Sequence, residues 1–167
     1  MVIETERLLL RKPILEDFEG YWLMKNDKAA TQYTGGITPY SYEKRQELFK
    51  EEWVDASQKT EFSVVLKTNG EYIGYCSLID HNGVLNELIY GIKQSAWQNG
   101  YGCEAAAAML SYGFTILNLS CIVATVNPEN IASERVLQKI GMTFDYSVEE
   151  SGIVLHKYKL DIASYSA

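Results

Sequence analysis

The sequence predicts an α+β fold, a mixed and mostly antiparallel sheet of about seven strands flanked by about four helices. Three observations carry that reading. Two Asn-Gly pairs, Asn69-Gly70 and Asn82-Gly83, punctuate a central stretch of alternating apolar residues, as hairpins do. The segments before and after it change to helical spacing. One later helix lies between two strands, so a crossover connection is built into the sheet. With 167 residues, 47% of them hydrophobic, and no repeat, linker or low-complexity stretch, residues 1–167 are expected to form a single domain.

The elements follow in order. Leu8 to Lys12 reads as a first strand. Phe18, Trp22 and Lys25 share a stripe of a helix from about Leu15 to Asn26. Asp27 to Tyr40, with Gly35, Gly36 and Pro39, reads as loop. Leu48, Phe49 and Trp53 fall at helical spacing in a helix from about Ser41 to Ser57. Phe62, Val64 and Leu66 then alternate along a strand, Tyr72 to Asp80 returns, and Val84 to Ile92 follows, which together make a meander. A helix from about Tyr101 to Leu117 carries Ala106, Met109, Leu110, Gly113, Phe114 and Leu117 on its apolar stripe. Cys121 to Val126 is an apolar strand. Asn127-Pro128 predicts a helix start, with Asn as cap and Pro in first position, and Gly141 predicts its end. Met142 to Val148 and Ile153 to Leu160 read as the last strands.

Composition bounds the function. A net charge of −7 repels phosphate backbones, which argues against nucleic acid. It suits a cationic small molecule or a basic peptide, although solubility alone accounts for it. Cys76, Cys103 and Cys121 are odd in number and fit neither a disulfide framework nor a zinc pattern, so they read as small buried side chains, and no metal is expected. No window approaches a membrane span, and the acidic start, with Glu4 and Glu6, is no signal peptide. The expectation is a cytoplasmic protein with no membrane partner.

The chemistry concentrates between Trp97 and Met142. Gly100-Tyr101-Gly102-Cys103-Glu104-Ala105 formally fits the loose dinucleotide fingerprint. However, the preceding strand ends several residues earlier, and no acid ends the next strand, so the fingerprint is rejected. Gly-Lys-Ser and Gly-Lys-Thr are both absent, so there is no P-loop either. What remains is a glycine-bracketed helix start whose N–H groups can grip a phosphate.

Around that turn the order is Glu87-Leu88-Ile89-Tyr90-Gly91-Ile92, then Trp97-Gln98-Asn99-Gly100-Tyr101-Gly102-Cys103-Glu104-Ala105, then Asn130, Ser133, Arg135, Val136-Leu137 and Gly141. The set resembles the acyl-CoA-binding half of the GNAT acyltransferase superfamily. It is similar to the branch that acetylates ribosomal-protein N-termini (RimJ/RimL-like), whose turn runs roughly W-G-K-G-Y-A-T-E-A. Glu4-Thr5-Glu6-Arg7-Leu8-Leu9-Leu10-Arg11, with Asp17 downstream, resembles that branch too. The likeness runs from Glu4 to about Met142.

The resemblance implies a single GNAT-fold domain that moves an acetyl group from acetyl-CoA to a primary amine, by direct attack in a ternary complex. It implies that the N–H groups of Asn99, Gly100, Tyr101, Gly102, Cys103 and Glu104 take the pyrophosphate, with Trp97 and Gln98 also in the cofactor site. Leu88, Ile89, Tyr90 and Ile92 would pair with the pantetheine arm, with an N–H near Ile92 polarising the thioester carbonyl. Asn127, Asn130 and Arg135 would complete the cofactor site. Glu87 is the first candidate for the base, either partnered or raised in pKa on its strand, with Asp80 and His81 in reserve. Ser133 is either the acid for the leaving thiolate or a small residue that permits close approach. Tyr33 and Tyr40 are the candidate acceptor-binding aromatics.

Two departures stand out. Gln98 and Asn99 are neutral where the family turn carries a cation, and Leu137 stands where many relatives carry an acidic Tyr. They leave open a non-catalytic CoA-binding sensor or interaction module. A C2 homodimer is the default if the chain associates.

Overall fold

A computed structural model describes residues 1–56, 60–81 and 83–165. Its sheet is built from β1 (Val2–Glu4), β2 (Leu8–Arg11), β3 (Thr60–Leu66), β4 (Tyr72–His81), β5 (Val84–Ile92), β6 (Cys121–Val126), β7 (Thr143–Glu150) and β8 (Ile153–Asp161). The strand order is β1-β2-β3-β4-β5-β6-β8-β7. Only β5 and β6 run parallel, which is the predicted crossover, and every other pairing is antiparallel. The helices are α1 (Phe18–Lys25), α2 (Lys28–Thr31), α3 (Tyr42–Phe49), α4 (Tyr101–Thr115) and α5 (Ile131–Lys139). The expected α+β GNAT fold is therefore present, with eight strands among the described residues rather than about seven, and five helices rather than about four.

Apolar side chains divide between the two faces of the sheet. Leu88, Ala105, Met109, Leu110, Ile122 and Leu137 belong to the core beneath α4 and α5. Phe18, Tyr21, Phe49, Val65 and Tyr72 form a second core beneath α1 and α3. The extra strand, β1, is a three-residue edge strand too short to show a period. The extra helix, α2, starts at Asp27, whose carboxylate accepts from the Ala29 and Ala30 N–H groups, inside the stretch expected to be loop.

The expected 41–57 helix is α only to Phe49. It continues as a π-helical turn over Lys50–Val54, closed by Asp55 N–H to Lys50 C=O at 2.8 Å, and its expected end at Ser57 lies outside the described residues. That turn stacks Trp53 on Phe49, centroids 5.7 Å apart, and sets it edge-on to Tyr75. Of the Asn82-Gly83 turn, Asn82 lies outside the described residues, while the Gly83 N–H donates to Asp80 at 3.1 Å.

The start of α5 corrects the sequence reading. The cap is Asn130, whose Oδ1 accepts from Ser133 N–H at 3.1 Å, and not Asn127. Asn127 instead opens a turn: its side chain accepts from Glu129 N–H at 2.9 Å and its carbonyl from Asn130 N–H at 2.8 Å. Pro128 and Glu129 are therefore the turn's central residues, a position that suits Pro as well as helix position one does. His156 Nδ1, 2.6 Å from Glu134, and the Tyr158 hydroxyl, which donates to Glu134, tie the far side of α5 to β8.

Candidate active site

The site grows from a defect in the sheet. Between β5 and β6 the register holds one pair, Glu87 with Val123. Lys93 N–H donates to Ile73 C=O at 2.8 Å, which fixes the alternation along the β4–β5 ladder. Ile89 and Gly91 therefore spend their main-chain groups on β4, while Leu88, Tyr90 and Ile92 turn theirs towards β6. Beyond the Glu87–Val123 bridge, which engages the Leu88 N–H, no further β5–β6 pair follows among the described residues. The Ile92 carbonyl is taken by the Trp97 indole N–H at 2.7 Å, which fastens the following turn to the strand end.

That turn delivers the start of α4. Gly100 caps it with φ of +78°, a conformation glycine adopts without strain. The first helical bond runs from Glu104 N–H to Gly100 C=O, so the N–H groups of Tyr101, Gly102 and Cys103 have no partner inside the helix. A Cβ on Gly102 would make only ordinary contacts, 3.6 Å to Ile92 and 3.9 Å to Tyr90, so nothing in the protein itself requires glycine there.

A cation stands at this turn after all, supplied from the other end of the chain. The Arg7 guanidinium donates to Asn99 C=O at 2.9 Å, lies 4.7 Å from the Tyr101 ring centroid, and pairs with Glu104 at 2.7 Å. Glu104 also accepts from the Thr5 hydroxyl at 2.6 Å and from Arg7 N–H at 2.9 Å. Burial pushes the Glu104 carboxyl up, but these bonds and the Arg7 charge outweigh it and hold it below its ordinary value. Sequence reading missed this role because 97 residues separate Arg7 from Glu104. The only signal was the Thr5–Arg7 stretch already noted for its resemblance.

Two candidate residues meet on the α4 and α5 side. The Tyr90 hydroxyl lies 2.8 Å from Ser133 Oγ and donates to the Ser133 carbonyl at 3.3 Å. Burial pushes the Tyr90 phenol up to about 12, against the opposing bond with Ser133. Asn130 uses its Oδ1 as the cap, and Arg135 is exposed further along α5. Leu137 is 1% exposed and belongs to the core against which Tyr90 also packs.

Glu87 lies on the opposite face of β5. It is partnered: Thr125 Oγ1 donates to its Oε1 at 2.5 Å, and His81 Nδ1 is 3.6 Å from its Oε2. Lys157 donates to Thr125 Oγ1 at 2.8 Å, which directs the threonine's own proton at Glu87. Asp80 is engaged by the Gly83 turn. Tyr33 and Tyr40 do not line the cavity on this face. Tyr21, Lys25, Arg45 and the 34–39 loop do. Tyr42 packs edge-on against Phe18 and Trp22.

The mixed sheet, the splay after Glu87 and the open helix start define an acyltransferase-type fold. The profile of the Acetyltransferase (GNAT) domain matches residues 7–143, and the chain belongs to that family. It is similar to the uncharacterized N-acetyltransferase p20 of Bacillus licheniformis, 34% identical over 163 residues, covering 90% of this chain and 89% of that one. Among solved structures, a GNAT-family acetyltransferase from Bacillus anthracis superposes with a TM-score of 0.84 at 27% identity, covering 96% and 98% of the two chains. The fold is also that of Vibrio cholerae spermidine N-acetyltransferase, solved with CoA and spermine: TM-score 0.80, 20% identity, 96% and 98% covered. Among the described residues no helix is long and apolar enough to cross a membrane, and no cluster of three or more potential metal ligands occurs.

Proposed function

We propose that this chain transfers the acetyl group of acetyl-CoA to a primary amine, by direct attack within a ternary complex, as an enzyme related to the ribosomal-protein acetyltransferase branch. The observation that carries the reading is the loss of β5–β6 pairing directly after Glu87, which leaves strand edge, helix start and candidate acid–base groups around one slot. The fit to CoA rests on three features of that slot. The Tyr101 to Cys103 N–H groups can take a pyrophosphate, and the Gly102 position leaves room for close approach. The Leu88 carbonyl, the Tyr90 main-chain groups and the Ile92 N–H can pair with the pantetheine amides as a neighbouring strand would. Arg7, paired with Glu104, places a guanidinium beside the neutral Gln98 and Asn99.

The residues divide the work as follows. Glu87 accepts a proton from the acceptor ammonium, directly or through a water, while Thr125 and Lys157 keep its carboxylate oriented. The freed amine forms its bond to the thioester carbon, the carbon–sulfur bond breaks, and the nitrogen's second proton passes to solvent as the neutral amide forms. Ser133 gives its hydroxyl proton to the departing thiolate. Tyr90, whose phenol burial holds near 12, re-protonates the serine across the 2.8 Å contact and regains its own proton from solvent. The pair thus does what a tyrosine at position 137 does in many relatives.

Glu87→Gln is the test. Its expected outcome is a fall in kcat of about 10²–10⁴-fold, with acetyl-CoA affinity unchanged in a calorimetric titration. Unaltered turnover would remove Glu87 from the mechanism. Undetectable wild-type turnover with retained CoA affinity would favour a CoA-binding module.

A further inference from the structure

The cavity on the Glu87 face encloses about 220 Å³ and carries positive charge. Lys25 Nζ lies 5.8 Å from the Tyr21 ring and 5.3 Å from the Tyr75 ring, and among the described residues it has no carboxylate partner. Its sequence neighbour Asp27 is spent on capping α2. Burial, with Arg45 close by, lowers the Lys25 pKa, the direction expected of a cation without a counterion. Arg45 donates to the Tyr21 hydroxyl and, through both terminal nitrogens, to Glu52 at 3.4 Å, a carboxylate about half exposed. Two cations thus face one small cavity, and among the described residues only Arg45 pairs with a carboxylate, Glu52.

The cavity is connected to the reacting end through Tyr75. That residue pairs with Gly91, and its ring lies so close that a Cβ on Gly91 would sit 2.8 Å from it. Gly91 and Glu87 share a face of β5, four residues or about 13 Å apart. The cavity and the carboxylate thus lie on the same face of the sheet, with the Tyr75 ring between them.

We propose that this cavity binds an anionic group, a carboxylate or a phosphate, at the far end of the acceptor, so that the substrates are amines carrying a remote negative charge and not polyamines. This rests on the acetyl-transfer reading. An anion forms charge-assisted bonds with Lys25 and Arg45 and supplies the counterion the cavity lacks. A second ammonium, as in the spermine that accompanies the Vibrio protein, would meet two like charges instead.

The test uses matched acceptors that differ only at the far end: 8-aminooctanoate, 8-aminooctyl phosphate, octylamine and 1,8-diaminooctane. Each is titrated calorimetrically into the full chain saturated with CoA, where no acetyl group is present. At least one anionic acceptor should bind about tenfold tighter than the neutral and dicationic ones, and whichever anion leads identifies the source. Lys25→Met should abolish that preference and Lys25→Arg should keep it. A diamine that binds as tightly as both anions overturns the proposal, as does a preference unmoved by Lys25→Met. With acetyl-CoA in place of CoA, thiol release reports turnover. Tight binding of an anion with no thiol release from any amine would refute acetyl transfer and leave the cavity assignment standing.

Discussion

Tyr90→Phe removes one oxygen and little else, which makes it the cleanest probe of the Tyr90–Ser133 pair. The ring keeps its contacts in the α4-side core, and the hydroxyl's partners are Ser133 Oγ at 2.8 Å and the Ser133 carbonyl at 3.3 Å. Loss of such a bond costs about 0.5–1.5 kcal/mol of stability, so the variant should fold. If Tyr90 only holds the serine in place, kcat should fall no more than a few-fold. If it re-protonates Ser133, the loss belongs to a general acid acting one step removed. The expected fall is about 10–100-fold, or ~1.4–2.7 kcal/mol of barrier.

The assay is steady-state thiol release with two acetyl donors, acetyl-CoA and an analogue whose leaving thiol is more acidic. The analogue should restore most of the lost rate, because a stable thiolate needs no proton. Ser133→Ala should show the same rescue, and the double variant should be no slower than the worse single one, since the two act as a unit. A Tyr90→Phe rate equal to wild type, or losses that multiply in the double variant, would refute the relay. Stability gives an independent check. The folded phenol is raised from 10.0 to about 12, so its contribution is complete below pH 10 and lost as pH rises towards 12. The phenylalanine variant should lack that part of the alkaline decline.

Other consequences are as concrete. Glu104 is held below its ordinary value of 4.5, so it stabilises the fold above that pH and the contribution disappears as pH falls through the lowered value. Glu104→Gln should therefore lower the melting temperature at pH 7, and the gap from wild type should narrow below pH 4.5. Its acetyl-CoA affinity should also fall, because Arg7 loses the carboxylate that holds it at the turn. Leu137→Tyr should not improve catalysis. The side chain is 1% exposed in the core, so the larger residue overpacks it at about 1–3 kcal/mol, read in urea unfolding.

Much of this architecture is local and could be read along the chain. Asn69-Gly70 encodes its own turn, and the glycine needs its positive φ of 72° wherever the strands go. Gly100 at +78° and the apolar stripe of α4 were legible for the same reason. Asn127 and Asn130 were harder, because both precede helical residues and asparagine caps or turns equally well. Pro128 and Glu129 settle the competition by occupying the middle of a turn.

The features that shape the site are non-local. Tyr90 reaches Ser133 across 43 residues, and Lys157 reaches Thr125 across 32. The charge of the cavity lined by Lys25 and Arg45 is equally hidden. The chain is acidic overall and the 27–40 stretch advertises aromatics and glycines, but the side chains turned into the cavity include Lys25 and Arg45 from the flanking helices. Net charge describes the whole surface and says little about one cavity within it.

The single Glu87–Val123 pairing also bears on how the molecule opens. Strands β1 to β5 form one antiparallel unit, and β6, β8 and β7 form another. Among the described residues the ladder between them is the shortest in the sheet, so the two units are joined there by packing under α4 and α5 and by side-chain bonds from Asn86 to Cys121 and from Thr125 to Glu87. Amide protons flanking this seam should exchange with solvent at a lower free energy than those inside either unit. A long ligand seated between β5 and β6 would act as a staple across the seam and slow exchange in β6 and β8, well beyond the atoms it touches.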